Sequence, residues 1–255
     1  GDSLYHPAQF AEYLQQGADM VLIGEAEQTL PELIGNMDAG AGWQQLQGIA
    51  YLQNGGLIKN PARPVMKDLD ALPLPAWDLV DIAAYKRKWL KSAGYFSLNV
   101  GTTRGCPFKC NWCAKPIYGN RYNSRSAAHV MDELRLLVGE FGADHIWFCD
   151  DIFGLKPGWV AELAGLIARD KLKFKFKVQS RADLLLQDEQ VCLLAEAGCD
   201  TIWIGAESGS QNILDAMDKG ITVRQIESAA MLMKKYGIKP SFFIQFGYPG
   251  ETKED

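Results

Sequence analysis

The sequence predicts an α/β protein whose larger part is a partial barrel of parallel strands. Three observations carry that expectation. From Tyr95 onward, short apolar runs alternate with helical patterns, an order that lays strands parallel and packs helices against them. Each apolar run is followed by a chemically distinctive group, as in barrels whose sites form where the strands' carboxyl ends emerge. A proline-bearing stretch over 61–77 separates this region from a smaller α/β unit before it.

In chain order, 9–16 has a helical pattern, 19–23 is an apolar strand, and 29–37 is a second helix with Leu30, Leu33, Ile34 and Met37 on one face. Gly24-Glu25-Ala26-Glu27 lies between the strand and the second helix. A glycine permits a tight turn there, and acidic residues suit a helix start. Runs 48–52 and 57–60 flank Asn54-Gly55, a strong hairpin turn pair. Pro61, Pro64, Pro73 and Pro75 then block helix and central strand alike, so an extended linker is expected, pinned to the next unit by burial of Trp77, Leu79 and Tyr85. Strands follow at 96–100, 145–149, 174–178, 201–205 and 241–246, with helices at 127–141, 159–168, 189–196 and 223–236. Gly142 is the expected stop of the first of these helices. Five strands fall short of a full eight-fold barrel, so the chain is expected to be truncated after the fifth strand, with a sixth beyond Asp255. The organisation expected is a small unit over 1–40, hairpin and linker over 41–92, and barrel over 93–255.

The 255 residues are 47% hydrophobic and 22% charged, ordinary for a globular protein with a sizeable core. A net charge of −5 without a basic block gives no field for a nucleic-acid backbone, so no nucleic-acid partner is expected. No apolar run approaches the length of a membrane span and no signal peptide opens the chain, so a reducing cytoplasm is the expected compartment. The chain starts at Gly1 and stops just after a strand and turn, which reads as an internal piece of a longer protein.

The most informative run is Arg104-Gly105-Cys106-Pro107-Phe108-Lys109-Cys110-Asn111-Trp112-Cys113. Three thiolates in this C-x-x-x-C-x-x-C spacing can hold three corners of a cubane iron–sulfur cluster that commonly takes four, leaving one iron open for a ligand. Zinc prefers four ligands, often paired C-x-x-C knuckles, and six cysteines are too sparse for a disulfide framework. Cys149, Cys192 and Cys199 read as small core hydrophobes. Lys109, Lys115, Arg121 and Arg125 surround the motif, and positive charge would favour thiolates.

The later strands end in Asp150 and Asp151, in Ser180, Arg181 and Asp183, in Glu207 and Ser208, and in Gly247-Tyr248-Pro249-Gly250-Glu251. An open iron chelates a ligand with both amine and carboxylate. Arg181 suits the carboxylate through its forked geometry, while Glu207 suits an amine or ribose hydroxyls. Each has a plainer reading as a barrel-mouth ion pair, Arg181 with Asp183 or Glu207. Asp150 and Asp151 are adjacent on a strand end, so at most one points into the mouth. Gly205, Gly209, Gly247 and Gly250 either admit a flat purine or simply form turns.

These motifs resemble the radical S-adenosylmethionine (SAM) superfamily, including Trp112 just before the last cysteine, and in particular its cobalamin-binding branch. Gly24-Glu25-Ala26-Glu27 with Thr29-Leu30 resembles the end of that branch's Rossmann-like cobalamin domain, and Leu74-Pro75-Ala76-Trp77-Asp78-Leu79 its linker. Asp150-Asp151-Ile152-Phe153, Ser180-Arg181-Ala182-Asp183, Gly205-Ala206-Glu207-Ser208-Gly209 and Gly247 to Thr252 are similar to its strand-end motifs. The resemblance implies a partial parallel (β/α)6 TIM-like barrel preceded by the C-terminal part of a cobalamin-binding domain. It implies a [4Fe–4S] cluster on Cys106, Cys110 and Cys113, with SAM and cofactor contacts from Trp112, Asp150, Ser180, Arg181, Glu207, Ser208 and Gly247. It also implies reductive cleavage of SAM to a 5'-deoxyadenosyl radical, cobalamin in the full-length parent, and an electron donor such as flavodoxin or ferredoxin. Cobalamin-dependent C-methylation of a small or lipid-like molecule is the leading expectation. Cys113 to Gly119 together with Asp150-Asp151 also resembles the anaerobic magnesium-protoporphyrin monomethyl ester cyclases, and a non-enzymatic electron-transfer protein is the alternative from another class. His6 is no adequate lower ligand for cobalamin.

Overall fold

The computed structural model describes residues 7–113 and 118–255, so His6 and the stretch 114–117 lie outside the described residues. Helix α1 (Pro7–Gln15), strand β1 (Met20–Leu22) and helix α2 (Ala26–Asp38) open the chain, followed by the hairpin β2 (Ile49–Gln53) and β3 (Gly56–Lys59). Asn54 and Gly55 both take positive φ, 51° and 78°, the two-residue turn that suits the twist of paired strands. The hairpin does not stand apart with the linker. Its first strand pairs antiparallel with β1, Met20 opposite Tyr51, giving a three-stranded sheet that buries Phe10, Leu14, Val21 and Ala50. On α2 only Thr29 and Leu33 are buried, while Leu30, Ile34 and Met37 are exposed despite their helical spacing.

Residues 61–76 run without helix or strand, as the prolines require. Trp77 packs on the larger core, with its Nε1 donating to Glu133 Oε1 at 3.0 Å. Leu79 and Tyr85 were expected to be pinned with it and are exposed instead, Leu79 in the short 3-10 turn that Trp77 opens. The anchoring passes to helix α3 (Ile82–Ala93), which the linker expectation overlooked, through Ile82 and Trp89. Asp81 Oδ1 caps it by accepting from Ala84 N at 2.9 Å, and Gly94 at φ 78° ends it.

Next come strand β4 (Ser97–Val100), the two-residue strands β5 (Thr103–Arg104) and β6 (Asn123–Ser124), helix α4 (Ala127–Leu134) and strand β7 (His145–Phe148). The antiparallel β5–β6 pair closes the base of the cysteine loop. Helix α4 runs on into a π-helical turn, Arg135–Glu140, before Gly142 at φ 66° stops it. Helix α5 (Trp159–Asp170), strand β8 (Lys175–Ser180), helix α6 (Asp188–Glu196), strand β9 (Cys199–Glu207), helix α7 (Gln211–Ala216), helix α8 (Val223–Lys235) and strand β10 (Lys239–Ile244) complete the chain. Thr222 and Gln225 form a reciprocal capping box that fixes the start of α8.

The five long strands form one parallel sheet in the order β10-β9-β8-β7-β4. Period-two alternation sorts its two faces. Leu98, Val100, Ile146, Phe148, Phe176, Val178, Ile202 and Ile204 point outward and form one core with Val130, Leu134, Leu163, Ala229 and Met233 of the helices. The other face carries Gln179, Trp203, Gly205 and Phe243, and all four line a single cavity with the cysteine loop. Residues of β8, β9 and β10, the segment just after β7 and the cysteine loop that follows β5 all border that cavity.

Candidate active site

The cysteine loop starts where β5 leaves the sheet. Gly105 has φ 83°, and a Cβ there would meet Arg121 O at 2.4 Å, so only glycine lets the loop pass over the returning strand. Cys106, Cys110 and Cys113 are all half-buried and line the cavity of about 550 Å³, together with Phe108, Trp112 and Tyr118. Asn111 fastens the loop to the far side of the barrel, its N donating to Met217 O at 3.1 Å and its Nδ2 to Ala216 O at 2.6 Å. Tyr248 Oη donates to Asn111 Oδ1 at 2.6 Å and so ties the chain after β10 to the same loop.

Arg181 reaches a sulfur and Lys219 lines the same cavity, and neither flanks the motif in sequence. Lys109 and Arg121 are exposed, Arg125 is committed to Glu133 at 2.5 Å, and Lys115 lies outside the described residues. Arg181 stands over the Phe108 ring at 3.7 Å, with its Nη1 4.0 Å from Cys110 Sγ. Its Nε donates to Asp183 Oδ1 at 3.0 Å and its Nη2 to Lys219 O at 2.9 Å, so the expected ion pair with Asp183 forms and also aims the remaining edge at the sulfur. Lys219, which the motifs gave no reason to single out, pairs with Glu207 Oε1 at 2.8 Å and lies 5.7 Å from the centre of the Trp112 ring. Lys219 and Glu207 are both buried, so the attraction acts with little solvent screening.

Glu207 reaches the cavity because the backbone at the end of β9 is bent. It takes φ 65°, a left-handed conformation costing an L residue about 1–2 kcal/mol, beside the register shift between β9 and β10. Gly205 also lines the cavity, where a Cβ would sit 2.8 Å from Lys219 Nζ and break the ion pair. Ser180 lines the wall, its Oγ donating to Phe153 O at 3.4 Å, and Trp203 and Phe243 stack at 4.9 Å to form the opposite wall.

Three further candidate residues are placed elsewhere. Asp150 is turned away from the cavity: Thr102 N and Thr103 N both donate to its Oδ1 at 2.7 Å, and Thr102 Oγ1 donates to Oδ2 at 2.7 Å. Burial pushes its carboxyl up to about 6 against the opposing pull of those hydrogen bonds. Its neighbour Asp151 is the one that lines the cavity. Ser208 Oγ accepts from Ser210 N at 3.1 Å, and Gly247, at φ 80°, forms a turn whose N–H is held by the Glu251 carboxylate. Neither lines the cysteine cavity.

The other cysteines do not complete a fourth corner among the described residues. Cys199 is buried with its thiol pushed far up by burial, Cys192 is on α6, and Cys149 lines a second cavity of about 870 Å³ beside Leu30, Pro75, Trp77 and Arg104. No three His, Cys, Asp or Glu side chains among the described residues converge on one ion. A cubane asks instead for sulfurs that border one shared space, each on a separate iron, and all three thiols of the loop border this cavity.

A family model described as the Radical SAM superfamily matches residues 100–255. The chain belongs to the radical SAM superfamily. Its members work with an iron–sulfur cluster and SAM, and the chain is that of an enzyme. It is 33% identical over 239 residues to an uncharacterised methyltransferase of Pyrococcus horikoshii, covering 93% of this chain and 50% of that protein. It is 27% identical over 246 residues to the anaerobic magnesium-protoporphyrin IX monomethyl ester cyclase of Rubrivivax gelatinosus, covering 92% of this chain and 43% of that one. The chain thus spans about half the length of the curated relatives it matches. Among solved structures, the cobalamin-dependent SAM radical enzyme OxsB with aqua-cobalamin bound superimposes with a TM-score of 0.80 at 23% identity, over 96% of this chain and 35% of that chain, which establishes the shared fold. No helix among the described residues is long and apolar enough to cross a membrane.

Proposed function

We propose that Cys106, Cys110 and Cys113 hold a [4Fe–4S] cluster with one open iron, and that the full-length protein is a cobalamin-dependent C-methyltransferase acting on a small or lipid-like molecule. The observation that carries the reading is one cavity gathering three thiols, Arg181, Glu207 and Lys219 from four segments far apart in sequence. When bound, the cluster supplies the electron that divides SAM into methionine and a 5'-deoxyadenosyl radical able to take hydrogen from an unactivated carbon. Cobalamin would supply the transferred methyl group.

The chain's own residues position and enclose. Arg181 is held in one orientation by Asp183 and Lys219 O, leaving Nη1 to meet a carboxylate beside the cluster. Glu207, oriented by Lys219, keeps an oxygen for an amine or ribose hydroxyl. Phe108, Trp112, Trp203 and Phe243 give the cavity an apolar wall on which a bound molecule can pack. In this reading residues 1–40 are the tail of a cobalamin-binding domain, 41–92 hold the linker and the hairpin that pairs with that tail, and 93–255 are the catalytic barrel. The electron would come from a flavodoxin or ferredoxin in a reducing cytoplasm.

The test is anaerobic reconstitution of the full-length protein, reduction, and addition of methyl-labelled SAM. Formation of 5'-deoxyadenosine and label in the product are expected. Label absent from a ring-closed product would replace methylation with the cyclase reading, to which the Rubrivivax relative lends weight. Absence of 5'-deoxyadenosine would remove the enzyme reading altogether.

A further inference from the structure

Five aromatic side chains of the described residues line the cysteine cavity, and they fall into two groups. On the loop side each ring already carries one of the protein's own cations. Arg181 lies over Phe108 at 3.7 Å, Lys219 over Trp112 at 5.7 Å and Arg104 over Tyr118 at 5.7 Å. On the opposite wall Trp203 of β9 and Phe243 of β10 pack on one another, 4.9 Å between centres and 31° between planes, and no cation among the described residues lies on either ring. An aromatic face attracts a cation or another flat ring, and of the five only this pair keeps that capacity for a ligand. Both rings are open to the cavity, Trp203 half-buried and Phe243 exposed.

The pair belongs to an arc that runs along consecutive strands. Gln179 of β8 is in register with Trp203, and Phe243 with Gly205, which adds no side chain between the pair and Glu207 above it. No hydrogen bond among the described residues holds the Gln179 side-chain amide, and neither end of it is shut off from solvent, so it can both donate and accept. Gln245, two residues beyond Phe243, also lines the cavity, but its Oε1 is closed off from solvent and offers a ligand nothing. Gln179 precedes Arg181 by two residues and Trp203 precedes Glu207 by four, so the arc lies about 7 Å or more deeper in the barrel than the two side chains read as holding SAM. The charged side chains of the cavity leave no cation unpaired. Arg181 is paired with Asp183 and Lys219 with Glu207, while Asp151 makes no ion pair among the described residues. The uncompensated charge is thus a carboxylate, which opposes an anionic guest.

We propose that Trp203, Phe243 and Gln179 form the substrate subsite of this cavity, and that the substrate presents to it a planar unsaturated ring bearing no negative charge. This rests on the enzyme reading above and narrows it from small or lipid-like substrates to ring compounds. The ring stacks on the open side of the aromatic pair, Gln179 bonds a polar group on its edge, and the rest of the molecule rises toward the layer of Arg181 and Glu207. A saturated substrate would gain the apolar contact without the attraction between rings.

The experiment is equilibrium dialysis of the reconstituted, unreduced full-length protein against 2-naphthol, its saturated counterpart decahydro-2-naphthol, and 2-naphthoate, each with and without saturating SAM. 2-Naphthol should bind, and SAM should leave that binding in place, because the adenine is held elsewhere. Decahydro-2-naphthol should bind about threefold or more weakly, the amount that pairing between rings adds to simple burial. 2-Naphthoate should bind about tenfold or more weakly, its charge finding no free cation. Trp203→Leu should lower 2-naphthol affinity by about tenfold or more and Trp203→Phe should retain most of it. Tyr85→Leu, the same loss of a ring on the exposed surface, should leave it within about twofold. No 2-naphthol binding to wild type, equal binding of its saturated counterpart, tighter binding of 2-naphthoate, or equal loss in Trp203→Leu and Tyr85→Leu would overturn the proposal. Displacement of 2-naphthol by SAM would overturn it too, by giving the aromatic pair to the adenine. Wild-type 5'-deoxyadenosine formation, measured after reduction of the same preparation, separates the two readings: if it occurs while 2-naphthol fails to bind, only the subsite is lost.

Discussion

Asp150 shows how a single side chain can be structural where its sequence neighbourhood points to a cofactor. It accepts three hydrogen bonds from Thr102 and Thr103 and thereby sets the path of the chain entering the cysteine loop. Burial holds its folded carboxyl at about 6, above the ordinary 3.8, so the folded state binds the proton more tightly than the unfolded chain does. Its protonation therefore contributes stability that is complete below about pH 4 and is lost as pH rises through about 6. Urea unfolding of wild type against Asp150→Asn should show the wild-type advantage shrinking between pH 4 and pH 7 by about 3 kcal/mol at most. Arg181 makes the converse point, because its pairing with Asp183 and its place beside Cys110 Sγ are not rivals. Arg181→Lys keeps the charge but loses the fork and the stacking on Phe108, and should weaken SAM binding by about tenfold or more in equilibrium dialysis. The sequence could offer both roles for this residue; only the fold could join them.

At the scale of the element, the cysteine loop is held by backbone constraints as much as by its thiols. Gly105→Ala would drive a methyl into Arg121 O, which is backbone and cannot swing aside. The loop must then shift, and iron and sulfide content after reconstitution should fall to a small fraction of the wild-type value while far-UV circular dichroism stays close to it. The five long strands were legible in the sequence because outward aliphatics alternate with polar inner residues and turn glycines punctuate them. Helix α3 was not legible, since its apolar residues Ile82 and Trp89 are spaced among lysines and sit directly behind a proline-rich run. The apolar stripe of α2 misled in the other direction: helical spacing marked Leu30, Ile34 and Met37 as a packed face, yet only what packs against a helix decides burial.

At the scale of the whole molecule, the smaller unit is bolted to the residue that introduces the cysteine motif. Arg104 Nη1 lies 2.6 Å from Glu25 Oε1 and its Nη2 pairs with Glu27, while Glu25 Oε2 accepts from Met66 N at 2.5 Å in the linker. Gly24-Glu25-Ala26-Glu27 thus does more than begin a helix; its Glu25 carboxylate holds both Arg104 and the linker at Met66. Arg104→Ala should cost about 1–3 kcal/mol, because Glu25 stays largely buried without its partner, and should speed limited proteolysis across 61–76. By itself the sequence determined the alternation of strand and helix, the trio of cysteines and the order of polar groups after each strand, because periodicity and spacing are local properties of a chain. The tertiary structure alone decided that Asp151 rather than Asp150 lines the cavity and that Lys219 and Arg181 supply its positive charge. Those outcomes depend on which strands curl past one another and which side chains meet across the barrel, and such distances are not written in any stretch of consecutive residues.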